Sequence, residues 1–241
     1  MTSEGTSVTQ QKRAAARAAV AEIADGMIVG LGTGSTAALA LDAIASLGTT
    51  RIRGVPTSRV TEAAARAAGI DVTDLGEVDG VDIAIDGVDE IDGQLRAIKG
   101  AGGAMLREKI VAAAAHRMVA IADASKRVDR LGGKPVPVET LPFGLAATAR
   151  QLEALGASVT RRRATDGNWF VTDQGNAVLD CAFGPLDDPE RLAERIDAVP
   201  GALGHGLFLT EIDALYLGRP DGGVGRFERA PSPHDEKGAK P

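Results

Sequence analysis

Residues 26–47 read GMIVGLGTGSTAALALDAIASL and carry the clearest structural signal in the chain. An apolar run, a glycine-rich turn and an alanine- and leucine-rich segment follow one another, which predicts a strand, a tight turn and a helix. The turn GLGTGSTA (Gly30–Ala37) would present backbone N–H groups and a helix N-terminus to an anion, and Thr33, Ser35 and Thr36 add hydroxyl donors. A plain turn with Ser35 or Thr36 as helix N-cap is the alternative. A phosphate site is favoured.

Outward from this turn, strands and helices alternate. A helix is predicted in VTQQKRAAARAAVAEIA (8–24), and strands are predicted in TRIRGVPTS (50–58), IDVTDL (70–75), VDIAIDGVDE (81–90) and MVAIADASK (118–126). Helices are predicted between them in RVTEAAARAAG (59–69) and GAMLREKIVAAAAHR (103–117). This alternation is typical of the α/β class, here a Rossmann-like, mostly parallel sheet with helices on both faces.

The pattern changes after three prolines in GGKPVPVETLPFG (132–144). Two helices and the strand-like segments ASVTRRRA (157–164) and WFVTDQGNAVLDCAF (169–183) then predict a smaller α+β, ferredoxin-like domain. We therefore divide the chain into residues 1–134 as the first part of the larger, Rossmann-like domain and 135–204 as the smaller domain. Residues 205–225 would return as strands to the larger domain, and the proline- and charge-rich residues 226–241 would form a disordered tail.

Composition excludes several functions. The chain has 241 residues, a net charge of -6 and 3% aromatic residues, which argues against a nucleic-acid partner. Cys181 is the single cysteine, and His116, His205 and His234 show no metal-ligand spacing, so we expect no metal. No apolar run approaches the ~20 residues of a membrane span. We expect a cytoplasmic protein with no membrane partner.

The residues of the glycine turn also limit which class of phosphate ligand can bind there. A dinucleotide fingerprint requires a third glycine where Ser35 stands and an acidic residue about 20 positions further on. A nucleoside-triphosphate P-loop requires G-K-[ST], which is absent from the sequence. A phosphate monoester therefore fits better than NAD or ATP.

A second group of polar residues lies in DGVDEIDGQLRAIKGAGGAMLREKI (Asp86–Ile110). Asp86 ends a predicted strand and Asp89 follows in a turn, while Lys99 opens a glycine loop and Glu108 lies about one turn into a helix. Each residue alone is explained as a turn or surface charge. Together, at a strand end where α/β sheets bind ligands, these residues favour a site that carries out a chemical reaction.

Four segments in this order resemble ribose-5-phosphate isomerase, type A: GLGTGSTA, DGVDEID, KGAGGAMLREKI and IADASK. The later segment IDAVPGALGHGLF (196–208) resembles that family as well, so the likeness runs from about residue 12 to 223. The family interconverts D-ribose 5-phosphate and D-ribulose 5-phosphate through an enediolate, in the non-oxidative pentose phosphate pathway. The resemblance implies this activity, a sugar-phosphate ligand, no cofactor, and a homo-oligomer that is a dimer or a tetramer.

The resemblance also implies residue roles. Glu108 would move the proton, Asp86 and Lys99 would open the sugar ring, Lys99 would stabilise the enediolate, and Asp89 would orient hydroxyl groups. We expect burial and the aspartates to raise the pKa of Glu108, while Lys99 limits the rise. The substrate-binding residues would be Lys12, Thr33, Gly34, Ser35, Thr36, Asp86, Gly87, Val88, Asp89, Lys99, Gly100, Ala101, Gly102 and Lys126.

Three other functions remain open at this point. A non-catalytic sugar-phosphate sensor would need a DNA-binding module, for which the polar residues before the first helix leave no room. An enzyme acting on another phosphorylated sugar is compatible with the spacing, because pocket shape decides which epimer fits. A nicotinamide dehydrogenase would need the third glycine of the fingerprint and an acidic residue that binds the ribose, and this sequence has neither.

Overall fold

The computed structural model describes residues 6–48 and 51–230 and arranges them in three β-sheets. The helices are α1 Val8–Val20, α2 Ser35–Ala45, α3 Arg59–Ala67, α4 Met105–Ala114, α5 Leu145–Ala154 and α6 Pro189–Asp197. The strands are β1 Ile28–Leu31, β2 Arg53–Pro56, β3 Asp71–Val72, β4 Ile83–Gly87, β5 Glu90–Ile91, β6 Ala97–Ile98, β7 Met118–Asp123, β8 Val136–Thr140, β9 Ser158–Arg161, β10 Ala177–Ala182, β11 Ala202–His205, β12 Leu207–Phe208, β13 Ala214–Gly218 and β14 Val224–Glu228. Within these ranges no helix is long and apolar enough to cross a membrane.

The main sheet has the strand order β14-β13-β7-β4-β1-β2-β3. Its neighbouring strands pair in parallel, except that β14 is antiparallel to β13. The chain runs outward from β1 to β2 and β3 in one direction and from β4 to β7 in the other. A crevice therefore opens beyond the carboxyl ends of β1 and β4, where such sheets bind ligands. The predicted Rossmann-like sheet is confirmed.

Helices cover both faces of the main sheet. On one face α1 and α2 pack their small and aliphatic side chains, such as Ala19 and Leu41, against Val29 of β1. On the other face Val111 of α4 and Phe208 of β12 belong to a second buried cluster. Because both faces are covered, the strands are almost continuously apolar rather than alternating.

The smaller sheet has the order β11-β8-β10-β9, and all of its pairs are antiparallel. With α5 and α6 its chain order is βαββαβ, which confirms the predicted ferredoxin-like unit. Its core joins Val138, Leu152, Leu179 and Ile196. The domain boundaries at 134/135 and 204/205 stay predictions.

Two parts of the sequence prediction need correction. Only Ala177–Ala182 of the predicted segment 169–183 forms a strand, because Thr172 and Asn176 close a turn before it. The tail was predicted to be disordered from residue 226, but Arg226–Glu228 belong to β14 and pair with β13. Composition does not predict this strand because it is stabilised by backbone hydrogen bonds to β13 and not by a pattern in its own sequence. Residues 231–241 lie outside the described residues.

The third sheet, of order β12-β6-β5, was not predicted. Its strands are two residues long, so their sequence shows no periodicity to read. The sheet matters for function because β6 ends at Ile98, and Lys99 donates its backbone N–H to Gly206 O at 2.8 Å. That bond fixes the lysine beside the crevice.

Helix α1 approaches the end of β13 very closely at Gly218. A Cβ built on Gly218 would lie 2.0 Å from Gln11 O. We expect Gly218→Ala to lower the free energy of unfolding by about 1–3 kcal/mol, because the helix backbone must move. Urea unfolding measures the change. The control is Gly76→Ala, where a Cβ meets nothing within 4 Å, and a change of less than about 0.5 kcal/mol is expected. Equal stability of both variants would contradict the tight contact.

Candidate active site

The site begins where β1 and β4 end side by side. Gly32 follows β1 and donates its N–H to Ile85 O at 3.1 Å. A Cβ on Gly32 would lie 2.1 Å from Asp86 Oδ1. Only glycine therefore allows the turn to pass this close to Asp86, the next-to-last residue of β4.

A lysine and two carboxylates meet in this crevice. Lys99 Nζ lies 2.9 Å from Asp86 Oδ2 and 3.3 Å from Glu108 Oε2, and it also donates to Gly87 O. The three side chains are 2–4% exposed. The sequence predicted that these residues share one site, and the structure brings them together from β4, the end of β6 and the first turn of α4.

Backbone N–H groups orient the aspartates. Asp86 Oδ1 accepts from Thr33 N at 3.1 Å and from Gly87 N at 2.7 Å. Asp89 Oδ2 accepts from Ala101 N at 2.9 Å. The glycine turn and the glycine loop are thus each hydrogen-bonded to one carboxylate.

Burial and charge shift the pKa values of these groups. Burial and the nearby Asp86 raise the pKa of Glu108 to about 8, although Lys99 opposes the rise. Burial also raises the pKa of Asp86, again opposed by Lys99. Burial alone would lower the pKa of Lys99, but Asp86 and Glu108 outweigh it and raise the pKa above its ordinary value. The direction expected from the sequence for Glu108 is confirmed.

The glycine turn leads into α2 with its N–H groups uncapped by any side chain. The N-cap is Gly34, with φ at 106° and no side-chain hydrogen bond, so the alternative of Ser35 or Thr36 as N-cap is wrong. The first-turn N–H groups and the helix dipole are therefore left for an anion.

A chain of hydroxyl groups supports the turn from behind, and sequence reasoning did not place it in the site. Thr33 Oγ1 donates to Ser58 Oγ at 2.8 Å, which donates to Thr61 Oγ1 at 3.0 Å, which donates to Gly32 O at 3.0 Å. Thr57 Oγ1 lies 2.8 Å from Thr33 Oγ1 as well. Serine and threonine at the end of β2 were visible in the sequence, but their pairing with a residue 24–28 positions away was not.

Two lysines complete the crevice. Lys12 of α1 donates to Ser35 Oγ at 3.0 Å, and Lys126 lies in a short 3-10 helix at the carboxyl end of β7. The cavity is small, about 80 Å³, and is lined by Lys12, Thr33, Ser35, Thr36, Gly87, Val88, Asp89, Lys99, Gly100, Ala101, Gly102, Glu108 and Lys126. Of the predicted site residues, Gly34 and Asp86 lie next to this lining, as the N-cap of α2 and the partner of Lys99. No three His, Cys, Asp or Glu side chains of the described residues are grouped to hold a metal ion.

The α/β fold therefore places a buried lysine–carboxylate cluster beside a helix N-terminus that could accept an anion. Comparison with known proteins identifies the family. A family model described as ribose 5-phosphate isomerase A (phosphoriboisomerase A) matches residues 53–222. A ribose-5-phosphate isomerase A of Roseiflexus sp. (strain RS-1) is 51% identical over 216 residues, covering 88% of this chain and 93% of the relative.

Solved structures of ribose 5-phosphate isomerases also resemble this chain. A ribose 5-phosphate isomerase from Plasmodium falciparum superposes with a TM-score of 0.89 at 35% identity, over 92% of this chain and 100% of the other. A D-ribose-5-phosphate isomerase in complex with phospho-erythronic acid has a TM-score of 0.89 at 33% identity, over 93% and 100%. The chain belongs to the ribose 5-phosphate isomerase A family and is an isomerase.

The raised pKa of Glu108 predicts a pH profile. If Glu108 acts as a carboxylate base, kcat/KM for isomerisation rises with pH through an acidic limb near 8. This limb lies above the ionisation of a phosphate monoester near pH 6. In Asp86→Asn the limb moves to lower pH, because a like charge is lost and Lys99 pairs with Glu108 alone.

The matched control is Asp79→Asn, which changes an exposed aspartate. Its limb is expected to stay where it is in the unmodified protein. A limb near 4.5 in the unmodified protein, or one that Asp86→Asn leaves in place, would contradict the interaction between these carboxylates.

Proposed function

We propose that Glu108, Asp86, Lys99 and Asp89 carry out the interconversion of D-ribose 5-phosphate and D-ribulose 5-phosphate in this protein. The observation that carries the proposal is Lys99 held between two buried carboxylates beside an uncapped helix N-terminus. The comparison structure with phospho-erythronic acid, a phosphorylated sugar acid, supports the same class of ligand for this cavity.

Glu108 is the base. Its carboxylate takes the proton from C2 of the open-chain aldose, the electrons of that C–H bond form the C1–C2 double bond, and the π electrons of the C1 carbonyl move onto O1 to give an enediolate. The electrons of the C1–C2 double bond then take the proton back at C1 while an electron pair of O2 forms the C2 carbonyl. The hydroxyl proton on O2 moves to O1, so atoms and electrons balance without an outside oxidant or reductant. A base with a pKa of about 8 is well matched to this transfer near neutral pH.

Lys99 stabilises the oxygen that gains charge in the enediolate. Its pKa is raised, so it stays an ammonium group, and its burial strengthens the interaction with a developing oxyanion. Asp86 shares this ammonium and lies where it can move the anomeric proton during ring opening. Asp89 accepts hydrogen bonds from substrate hydroxyl groups.

The phosphate end is bound at the start of α2. Ser35 and Thr36 supply hydroxyl and N–H donors, and Lys12 and Lys126 supply two positive charges to a dianion. Lysines suit this task because an ammonium is a compact point charge. The small cavity selects a short phosphorylated sugar.

Assembly and location are separate proposals. A homo-oligomer, dimer or tetramer, is supported by apolar side chains that are exposed in the single chain, among them Phe143 at 98%, Leu141 at 43% and Leu203 at 42%. A cytoplasmic location remains a prediction from the sequence.

The proposed roles predict the outcome of one isotope experiment. Purified protein is mixed with ribose 5-phosphate and a chelator in heavy water and followed by proton NMR. We expect ribulose 5-phosphate with deuterium at C1, because the proton on Glu108 exchanges with solvent. Glu108→Gln lowers kcat by about 10²–10⁴-fold, the usual contribution of a general base.

The control is Glu153→Gln, which changes an exposed glutamate of α5 and should keep full activity. Ketose formed at the same rate by Glu108→Gln would move the base elsewhere, to Asp86 first. No ketose from any of the three proteins would refute the proposed activity on this sugar.

A further inference from the structure

The glycine loop after Lys99, residues 100–103, is held by an arginine that directly follows a strand of the smaller sheet. Arg162 follows β9, and its Nη1 donates to Gly100 O at 2.7 Å and to Ala101 O at 3.1 Å. The other edge of the guanidinium pairs with Asp180 of β10, with Nε 3.0 Å from Oδ2 and Nη2 bonded to Oδ1. The Arg162 side chain is 13% exposed.

The two carbonyl groups belong to peptide units whose N–H groups lie in the site. Gly100 C=O shares a plane with Ala101 N–H, and Ala101 C=O shares one with Gly102 N–H. Both of these peptide bonds are trans, as are all others among the described residues, so each N–H points away from its carbonyl and hence away from Arg162. The first N–H is bonded to Asp89, and the second has no partner among the described residues. Gly102 itself lines the cavity.

Neighbouring contacts fix the rest of the loop. Gly100 has φ at 100°, and Gly103 N donates back to Gly100 O at 2.9 Å. The Phe170 ring covers the far end, since a Cβ on Gly103 would lie 2.2 Å from it. Phe170 donates its own N–H to Arg162 O at 3.0 Å, so the arginine and the ring form one support.

We propose that Arg162, held by Asp180, is a positioning residue for the isomerisation. It binds the carbonyl side of two successive peptide units and thereby aims Ala101 N–H at Asp89 and Gly102 N–H at an oxygen of the substrate's reacting end. The positive charge also polarises both peptide units, which strengthens their N–H groups as donors. The inference rests on the proposed function, because that function places the reacting end of the sugar at Lys99 and Glu108, which flank the loop in sequence.

This role differs from a plain link between two sheets. A link alone would contribute to stability and leave turnover unchanged in a folded variant. A positioning role concentrates its effect on kcat, because the side-chain hydrogen bonds of Arg162 go to the loop and to Asp180 and not to the phosphate end around α2. The test therefore separates kcat from KM and reads the loop directly.

The experiment compares Arg162→Ala, Arg162→Lys and the control Arg163→Ala in the full chain. Arg163 is the next residue, is exposed, and stacks on Trp169 at 3.9 Å rather than on the loop. We expect Arg162→Ala to lower kcat about 10–100-fold, a typical cost of misplacing reacting groups, with KM changed less than about threefold. Added guanidinium ion should restore part of kcat in Arg162→Ala and have no such effect in Arg163→Ala. Arg162→Lys should also lose activity, since an ammonium lacks the planar fork.

A second readout does not depend on activity. Hydrogen–deuterium exchange of a peptide covering residues 99–104 should be faster in Arg162→Ala and Arg162→Lys than in the unmodified protein, while Arg163→Ala keeps the original rate. Unchanged kcat in either folded Arg162 variant, or unchanged exchange of this peptide in both, would overturn the proposal. If Arg162→Ala unfolds the smaller sheet, seen as fast exchange in β8–β11, Arg162→Lys decides by the same criteria. If the unmodified protein shows no isomerase activity, the proposed function fails, and exchange alone decides whether Arg162 holds the loop.

Discussion

The buried ammonium group of Lys99 is the interaction on which the site depends. It is 2% exposed and lies between the carboxylates of Asp86 and Glu108. Without it, two like charges would be buried together, and an unpaired buried charge costs on the order of 3–5 kcal/mol. With it, the group still carries one carboxylate more than the cation can balance. That excess, together with burial, is why a proton binds Glu108 more tightly than it binds an exposed glutamate.

The fold keeps this group in place by bringing together elements that are distant in sequence. Asp86 is the next-to-last residue of β4, Glu108 stands in the first turn of α4, and Lys99 follows a two-residue strand of the third sheet. Each element is fixed by backbone bonds or by a buried apolar face, so little of the geometry rests on flexible side chains. The smaller sheet adds the last constraint through Arg162. The site is therefore built at a meeting of three sheets.

The sequence predicted the strand–turn–helix units and the chemical residues, but little of what holds them. Asp86 and Glu108 were found because periodicity places a strand end and a helix start at their positions. Glu90 is 4% exposed and accepts from Gly132 N, a pairing across 42 positions that the sequence pattern does not reveal. The role of Arg162 was likewise not visible, because the loop carbonyl groups to which it donates lie about 60 positions away. A local sequence pattern reveals helices and strands. It does not reveal hydrogen-bonded pairs of residues that are distant in sequence and meet only in the folded chain.

The most direct test of the central claim is the titration of the Glu108 carboxyl group itself. Carbon-13 NMR of glutamate-labelled protein, with Glu108→Gln to assign the resonance, gives its pKa without turnover. We expect a midpoint near 8 in the free protein, and a higher midpoint in Lys99→Met, where the opposing positive charge is gone. A midpoint near 4.5, or one unchanged by Lys99→Met, would contradict the claim that burial and this ammonium group together set the strength of the base.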